Sequence, residues 1–312
     1  MKTLSLCSPA KLNLFLKVMN KRSDGYHNIE TLFERIDLCD NIRLVSYPTG
    51  GIRIFCDHPD VPLGSQNLAY QAAKLIKDQL GVTRGIDIKI EKCIPVAAGL
   101  GGGSSNAATT LLGLNQMWAL KISKRRLLTL ARTLGSDVPF FVQDESWAVG
   151  TGRGDRLKPL RLKTRLWHVL VVPPFKMYSR EVFESLRPGA PSVLRTEKEG
   201  LMLRFRSAST LSEVEGLTKL KDDVNILIRS LRKKIFSALA GSLRNDLEIA
   251  IVRLQPSLAL LKQKLGRLTT HGVGFSGSGP ALFVLAEDRK KAESLKSALN
   301  KEYRRVFVVG TF

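Results

Sequence analysis

The sequence contains no run of about 18 consecutive apolar residues, the length that a membrane-spanning helix needs. Its amino terminus lacks the basic-then-apolar layout of a secretory signal peptide. Only four of its 312 residues are cysteines (Cys7, Cys39, Cys56 and Cys93), and their spacing is not that of a metal site. These features predict a cytoplasmic protein with buried, reduced thiols and no membrane partner.

Acidic residues are few, with 28 Asp and Glu against 49 Lys and Arg, and the net charge is +21. The excess is larger in the second half: +15 in residues 157–312 against +6 in residues 1–156. A solvated basic face, a nucleic-acid partner and general attraction of anionic substrates all fit this balance. Because the sequence shows neither zinc-ligand spacing nor basic helices interleaved with aromatics, a nucleic-acid partner is disfavoured.

Strand and helix patterns follow one another in both halves of the chain. The first 56 residues predict five short strands, LSLC, KLNLFLKVM, ETLFERIDL, NIRLVSY and GIRIFC. Three helical patterns come next, NLAYQAAKLIKDQL, NAATTLLGLNQMW and SKRRLLTLARTL, with predicted strands at IDIKIEK, PFFVQ and SWAVG. Strands before helices in each half predict an α+β fold with mostly antiparallel sheets.

The apolar segment WHVLVVPP predicts a buried strand that opens a second domain. We therefore expect an amino-terminal domain over residues 1–164 and a carboxy-terminal domain over residues 165–312. Residues 188–220 mix proline, glycine, serine and charge, which predicts a surface excursion. The remainder predicts a long helix (VNILIRSLRKKIFSAL), two shorter helices, strands at GVGFSGSG, ALFVLAE and RVFVVG, and a helix between the last two.

A glycine-rich loop, VAAGLGGGSS, joins the predicted strand IDIKIEK to the next helix. Its four glycines allow positive φ angles and close approach to an anion. The helix is expected to begin near Ser104 or Ser105, so that its free N–H groups and positive dipole end face the loop. The serine hydroxyls are then placed to bind phosphate oxygens or Mg²⁺; the alternative is a flexible linker with a serine helix cap. The spacing is that of neither a P-loop nor a dinucleotide-binding βαβ unit.

Four motifs occur in the order found in the GHMP kinases, a superfamily of small-molecule kinases. PVAAGLGGGSS resembles their ATP-binding signature, and LGSDVPFFV and GFSGSGPALF resemble two further motifs. SPAKLNLFLKV with SDGYHNIETLF is similar to the branch that phosphorylates 4-diphosphocytidyl-2-C-methyl-D-erythritol, in non-mevalonate isoprenoid precursor synthesis. The resemblance runs from about residue 5 to residue 310, with residues 188–220 poorly matched. It implies the two-domain GHMP kinase fold with the active site in the cleft between the domains.

The resemblance implies transfer of the γ-phosphoryl group of ATP to the 2-hydroxyl of that cytidine diphosphate-linked alcohol, with Mg²⁺. Asp137 matches the catalytic aspartate, which orients the hydroxyl and accepts its proton. Lys11 matches the active-site lysine, which keeps that carboxylate ionised and stabilises charge on the transferred group. Taken alone, Asp137 is equally typical of a helix or turn cap, and Lys11 of the polar face of an edge strand. Asp137 could also act mainly by holding Lys11.

The resemblance and the residue types together predict a substrate pocket containing Asn13, Tyr26, His27 and Phe183. In an alternating strand Asn13 shares a face with Lys11, from which it would hydrogen-bond a substrate diphosphate or hydroxyl. Tyr26 would stack on one face of cytosine while His27 reads the edge of the base. The family match puts Phe183 on the other face. The ordinary alternatives are a hairpin end for Tyr26 and His27 and a place in the core for Phe183.

The expected ATP-binding residues are the loop together with Asn67 and Lys92, which fit positions that line the ATP base in relatives. The loop positions are Pro95, Val96, Ala97, Ala98, Gly99, Leu100, Gly101, Gly102, Gly103, Ser104 and Ser105. Asn67 is equally suited to cap a helix, and Lys92 to end a strand in solvent. Relatives often have glycine where this chain has Ala97 or Ala98. Because alanine favours negative φ, a slightly stiffer loop is expected here.

Two further glycine turns are expected near the site. GSGPA is expected to pack behind the phosphate loop, and GTGRGD to border the substrate. Other functions stay open: another GHMP kinase, of the homoserine or mevalonate type, would need no cytosine pocket. A nucleic-acid-binding protein on an inactive kinase scaffold is suggested only by the charge of +21. The sequence leaves the oligomeric state open between a monomer and a homodimer.

Overall fold

The computed structural model describes residues 2–143, 145–186 and 224–312, so the expected excursion at 188–220 lies outside the described residues. Two β-sheets organise the described chain. The larger sheet contains β1 (Lys2–Lys21), β2 (His27–Tyr47), β3 (Ile52–Cys56), β4 (Gly85–Glu91), β5 (Trp147–Thr151), β6 (Arg156–Leu160) and β8 (Arg244–Asn245). The smaller sheet contains β7 (Trp167–Val171), β9 (Val273–Phe275), β10 (Leu282–Ala286) and β11 (Val306–Gly310).

Helices pack against both sheets. In chain order they are α1 (Leu68–Leu80), α2 (Gly102–Met117), α3 (Lys124–Leu134), α4 (Val138–Val142), α5 (Ser179–Glu184), α6 (Val224–Lys233), α7 (Phe236–Ser242), α8 (Glu248–Leu254), α9 (Ser257–Gly266) and α10 (Arg289–Leu299). None of the described helices is both long and apolar enough to cross a bilayer.

The two sheets have the orders β3-β4-β2-β1-β8, with β5 and β6 attached through β2, and β11-β7-β10-β9. Among the described strands only the pairs β3–β4 and β1–β8 are parallel, which confirms the predicted α+β class with mostly antiparallel sheets. Strand β6 of the larger sheet ends at Leu160, and strand β7 of the smaller sheet begins at Trp167. The expected domain boundary at residue 164 lies between them. β8, from the second half, nevertheless pairs with β1.

The strands β1 and β2 are longer than predicted, because each joins two of the expected short strands. They pair antiparallel from Lys2–Ser46 to Lys21–His27, with register shifts at Pro9/Ala10 and Asn13/Phe15. Such irregularities bend a strand and re-aim its side chains without ending it. The prediction of separate strands was therefore wrong: β1 continues through the irregularity at Pro9/Ala10, and β2 continues through Asp40, which pairs with Ser8.

Three helical segments also differ from expectation. PFFVQ is not a strand but part of α4, because a short buried apolar run fits either structure and Pro139 suits a first helical turn. The predicted long helix is broken into α6 and α7 near Lys234, whose φ is +54°. Helix α2 begins at Gly102, earlier than expected, because Gly101 adopts φ +72° at the N-cap position.

Cys7 and Cys39 form a disulfide between β1 and β2, with their Cα atoms 5.8 Å apart. The expectation of four reduced thiols was therefore wrong. Neighbouring strands bring the two residues within disulfide reach, which spacing along the sequence does not reveal. Cys56 is partly buried and Cys93 is exposed, both as free thiols.

The two halves share a buried contact between β2 and the smaller sheet. One apolar cluster combines Leu12 and Ile36 of the first half with Leu170 and Phe283 of the second. Beside it lies the fully buried carboxylate of Glu34, from the first half, whose two side-chain partners both come from the second half. Glu34 lies 2.8 Å from His168 Nε2 and 2.6 Å from Thr311 Oγ1. Such a polar joint fixes how the halves sit against each other.

Candidate active site

The glycine-rich loop runs from β4 into the amino terminus of α2. Positive φ angles recur at alternate positions, Ala97 (+54°), Gly99 (+80°) and Gly101 (+72°). Ala97 therefore overturns the expectation that alanine would keep φ negative here, and a non-glycine residue in this region carries strain of roughly 1 kcal/mol. The N–H of Lys11 donates to Leu100 O at 3.0 Å, which fastens the loop to β1.

The turn at residues 276–281 packs against the back of this loop, backbone against backbone, as expected. A Cβ atom at Gly99 would lie 2.6 Å from Gly279 N, and one at Gly279 would overlap the backbone of Ala98 and Gly99. Ser276 Oγ donates to Gly99 O at 3.0 Å. The two glycines are therefore required together, because neither loop could approach the other with side chains in place.

Lys11 and Asp137 meet beside the loop. Lys11 Nζ lies 3.4 Å from Asp137 Oδ2, and the exposed side-chain fractions are 5% for Lys11 and 31% for Asp137. Asp137 stands at the N-cap position of α4, yet within the described chain its side chain makes no capping hydrogen bond. The lysine is buried rather than placed on an outward strand face. The side chain of Asp137 therefore does not act as a helix cap, and Lys11 does not lie on the outward face of an edge strand.

A hydrogen-bonded series fixes the amide of Asn13. Lys11 Nζ donates to Asn13 Oδ1, and Asn13 Nδ2 donates to Thr31 Oγ1 at 2.7 Å. The Thr31 hydroxyl donates its proton to Phe15 O at 2.7 Å, so its lone pair is left for Asn13. Sequence reasoning missed Thr31, because its contact with Asn13 depends on the β1–β2 register. A Cβ at Gly277 would lie 3.0 Å from both Asn13 Oδ1 and Lys11 Nζ, so the turn of residues 276–281 also borders this series.

Lys92 lies beneath the loop and forms a buried ion pair with Asp40. Asp40 also accepts the N–H groups of Cys93 (2.9 Å) and Ile94 (2.8 Å) and the amide of Asn106 (2.9 Å). It therefore ties the beginning of the loop to the helix that follows it. The alternative of a solvated strand end for Lys92 was wrong, and Asp40 was missed because an acid within a strand pattern looks like a turn residue.

The expected phosphate-binding serines differ in their surroundings. Ser105 is fully buried, and its Oγ accepts a hydrogen bond from Ser8 Oγ at 2.8 Å. Ser104 is partly exposed at the first turn of α2. Asn67 caps α1: its Oδ1 accepts the N–H of Ala69 at 2.8 Å, and its Nδ2 donates to Pro62 O at 2.8 Å.

The tip of the β1–β2 hairpin meets α5, which comes from the other half of the chain. The rings of His27 and Phe183 stack with centroids 5.6 Å apart and planes 23° apart. Burial and the nearby positive charge of Lys21 lower the pKa of His27 below its ordinary value of 6.5. Tyr26, at the same turn, remains 52% exposed. The structure thus brings His27 and Phe183 into contact, and Tyr26 precedes His27 at the same turn.

The two ends of the site are connected by β2. His27 begins this strand, and Thr31, which contacts Asn13, follows four residues later, or about 13 Å along an extended strand. Within residues 2–143, 145–186 and 224–312, no group of three or more His, Cys, Asp or Glu is arranged to hold a metal ion.

Two family models match the chain: the GHMP kinases N terminal domain over residues 67–145 and the GHMP kinases C terminal over residues 208–305. A protein from Bacillus velezensis named 4-diphosphocytidyl-2-C-methyl-D-erythritol kinase is 37% identical over 302 residues, covering 97% of this chain and 94% of that protein. A further relative of that name from Pelotomaculum thermopropionicum is 36% identical and covers 97% and 96%.

Solved structures agree with these matches. The crystal structure of a 4-(cytidine 5'-diphospho)-2C-methyl-D-erythritol kinase superposes with a TM-score of 0.74 at 33% identity, covering 98% of each chain. Homoserine kinase from Cytophaga hutchinsonii superposes with a TM-score of 0.70 at 19% identity, covering 100% of this chain and 95% of that one. The second likeness shows the shared fold alone.

Proposed function

Because the chain belongs to the 4-diphosphocytidyl-2-C-methyl-D-erythritol kinases, a family of GHMP kinases, we propose that it phosphorylates this alcohol with ATP. The γ-phosphoryl group would pass to the 2-hydroxyl, a step in the non-mevalonate synthesis of isoprenoid precursors. The observation that carries the proposal is the pair of Lys11 and Asp137, 3.4 Å apart, beside the amino terminus of α2. The aromatic side chains at the hairpin tip favour a cytidine substrate over homoserine or mevalonate.

We propose that the triphosphate of ATP lies against residues 95–105. The first N–H groups of α2 lack partners within the helix, and the helix dipole favours an anion at that end. Ser104 is the serine whose hydroxyl is placed to contact phosphate, whereas Ser105 acts through the packing of the helix. Lys92 and Asn67 contribute by fixing the backbone that borders the nucleotide, since both already have protein partners.

Mg²⁺ would be held mainly by the phosphates of ATP, with the hydroxyl of the partly exposed Ser104 as a protein ligand. This fits the chemistry of the ion, which keeps several waters and uses few protein ligands in phosphate-transfer sites. When bound, Mg²⁺ neutralises charge on the phosphate oxygens.

The remaining chemistry belongs to Asp137, Lys11 and Asn13. Phosphoryl transfer requires alignment of the hydroxyl and compensation of the charge that spreads over the phosphoryl oxygens. The partly exposed Asp137 carboxylate would orient the 2-hydroxyl and take its proton as the oxygen attacks. The Lys11 ammonium pairs with this carboxylate and would face the transferred group, while Asn13 accepts a hydrogen bond from the ammonium.

At the other end, cytosine would stack on Tyr26, with Phe183 across from it and His27 at the edge of the base. Stacking of a base on an aromatic side chain contributes roughly 1–3 kcal/mol. Because its pKa is lowered, His27 is neutral at pH 7 and offers the base one donor and one acceptor nitrogen.

The decisive experiment offers the purified protein ATP, Mg²⁺ and a panel of alcohols and follows ADP formation. We expect turnover with 4-diphosphocytidyl-2-C-methyl-D-erythritol and none with homoserine or mevalonate. Asp137→Asn should reduce kcat by at least about 10²-fold while the protein still binds ATP. Asp78→Asn, which alters an exposed ion pair on α1, is the control and should retain full activity.

Two results would contradict the proposal. Turnover of homoserine or mevalonate in preference to the cytidine substrate would favour another GHMP kinase. Salt-sensitive binding of RNA or duplex DNA that survives Asp137→Asn, without phosphoryl transfer by the unaltered protein, would favour the nucleic-acid function.

We also propose a cytoplasmic location, where ATP is available as the donor. Fractionation of cells that produce the protein tests it directly: the ATP-dependent activity should be recovered with the cytoplasmic fraction.

A further inference from the structure

We propose that Arg153 positions the ring of Tyr26 and thereby presents a stacking surface to the cytosine of the substrate. The inference rests on the proposed function and adds a residue from the turn at 151–155 to it. Arg153 would act through Tyr26 rather than by binding the substrate itself.

The guanidinium of Arg153 covers the Tyr26 ring, with Cζ 4.9 Å from the ring centroid. Its own position is set by three further contacts. Arg153 Nη2 lies 3.2 Å from Asp155 Oδ2, the Arg153 N–H donates to Asp155 Oδ1 at 3.2 Å, and Nη2 also donates to Arg132 O at 3.4 Å. The exposed fractions of the side chains are 25% for Arg153 and 13% for Asp155, so this is a largely buried ion pair.

The turn that carries Arg153 is fastened to the same hairpin as Tyr26. The N–H of Ile29 donates to Gly152 O at 2.7 Å. Gly152 and Gly154 have φ angles of +67° and +92°, and a Cβ at Gly154 would lie 3.1 Å from Ile29 Cδ1. Only glycine combines this backbone with so close an approach, so the turn holds a fixed position against the strand.

The backbone of Tyr26 is held separately from its ring. The Tyr26 N–H donates to Asp24 Oδ1 at 3.2 Å, and Asp24 forms an ion pair with Arg22 at 2.9 Å. Tyr26 nevertheless keeps 52% of its surface exposed, so the backbone contacts alone do not fix the ring. With the guanidinium on one face, a base is directed to the opposite face of the ring.

The planarity of the guanidinium, and not only its charge, is what this arrangement uses. Arginine stacks on an aromatic face, whereas lysine carries a compact charge that does not lie flat against a ring. A cation–π contact contributes about 0.5–2 kcal/mol, which corresponds to a change of roughly 2- to 30-fold in an equilibrium constant. The expected effect on substrate affinity lies within that range.

The test begins with Arg153→Met and Arg153→Lys in the full-length protein. Each should raise KM for the cytidine substrate about fivefold while kcat and KM for ATP stay near the unaltered values. Arg53→Met is the matched control. Arg53, on β3, likewise covers an aromatic ring, that of Tyr47 at 5.3 Å, and pairs with an acid, Asp87. It should leave KM for the cytidine substrate unchanged. Full affinity in Arg153→Lys would overturn the proposal in favour of simple charge attraction.

The second step combines Arg153→Met with Tyr26→Ala. If Arg153 acts through the ring, the double variant should bind within twofold of Tyr26→Ala alone. Titration calorimetry with cytidine 5'-diphosphate measures this even if turnover is weak. If the two substitutions weaken binding independently, so that their losses multiply in the double variant, the inference is wrong but the proposed kinase function is unaffected. Absence of phosphoryl transfer in the unaltered protein would instead contradict the proposed function.

Discussion

At the scale of single residues, the pair of Lys11 and Asp137 is supported by side chains that lie behind it. Thr31 is one: its hydroxyl gives its proton to Phe15 O and accepts the amide of Asn13. This choice of donor and acceptor fixes which Asn13 atom faces Lys11. The position of the Lys11 ammonium, which pairs with Asp137, therefore depends through Asn13 on the hydroxyl of Thr31.

Thr31→Val should lower kcat about tenfold, because a buried amide without its acceptor costs roughly 1–3 kcal/mol and no longer holds Lys11. Thr31→Ser keeps the hydroxyl and should restore most of the rate. Steady-state kinetics at saturating ATP distinguishes the two variants. A full rate in Thr31→Val together with a loss in Thr31→Ser would indicate that the methyl group, rather than the hydroxyl, matters.

His27 predicts a specific pH dependence. Because burial and Lys21 lower its pKa, His27 is less protonated at pH 6.5 than an ordinary histidine, which is half protonated there. If the neutral ring contacts cytosine, KM for the cytidine substrate should rise as the pH falls, with the midpoint of the rise below pH 6.5. Lys21→Gln removes one cause of the shift, so the rise should then begin at higher pH.

Measurement of KM between pH 5 and pH 8 at saturating ATP checks this. His27→Gln should abolish the dependence, and a rise centred at or above pH 6.5 in the unaltered protein would contradict it.

At the scale of elements, the site is built where two glycine turns meet. The loop before α2 and the turn at residues 276–281 come from different halves, and their backbones leave no room for a Cβ at Gly99 or Gly279. Neither turn carries the catalytic side chains. The turn at residues 276–281 supports the loop from behind, and both turns border Lys11.

Gly279→Ala should therefore disrupt the phosphate loop, since the new methyl group would overlap the backbone of Ala98 and Gly99. We expect ATP binding to weaken by at least about tenfold and the melting temperature to fall, as for other overpacked sites. Gly266→Ala is the matched control, because no described atom lies within 4 Å of its Cβ position. Nucleotide titration and thermal melting follow both effects, and unchanged ATP affinity in Gly279→Ala would refute the assignment.

Elements with local signals could be predicted from the sequence, and those set by tertiary contacts could not. Helix α1 is bounded by its capping Asn67 and by Gly81, whose φ is +61°, so both ends are visible in the residues themselves. The segment PFFVQ was predicted as a strand, but it lies largely within helix α4. Burial on all sides removes the periodicity that distinguishes a helix from a strand.

The same division applies to the site. Lys11, Asp137 and the glycine loop lie in recognisable motifs. Asp40, Thr31 and Arg153 instead depend on which residues come opposite one another across strands and turns, and no local pattern gives that register.

At the scale of the whole molecule, the buried cluster of Glu34, His168 and Thr311 joins the two halves. Glu34→Ala should lower the free energy of unfolding by about 3 kcal/mol, because it leaves two buried polar groups without their partner. Glu145→Ala, which removes a partner of the largely exposed Arg161, should change it by less than about 0.5 kcal/mol. Thermal melting compares the two, and equal melting temperatures would show that the joint adds no stability.

The short strand β8 has a consequence for biosynthesis. It enters the first sheet beside Phe15 and Leu16 although it lies more than 220 positions later in the chain, and Gly279 follows later still. A polypeptide emerging from the ribosome thus exposes its nucleotide loop long before the segment that braces it has been translated. Neither half, expressed as a separate gene fragment, would contain the complete site. The protein could therefore bind nucleotide only after the segment containing Gly279 has been translated.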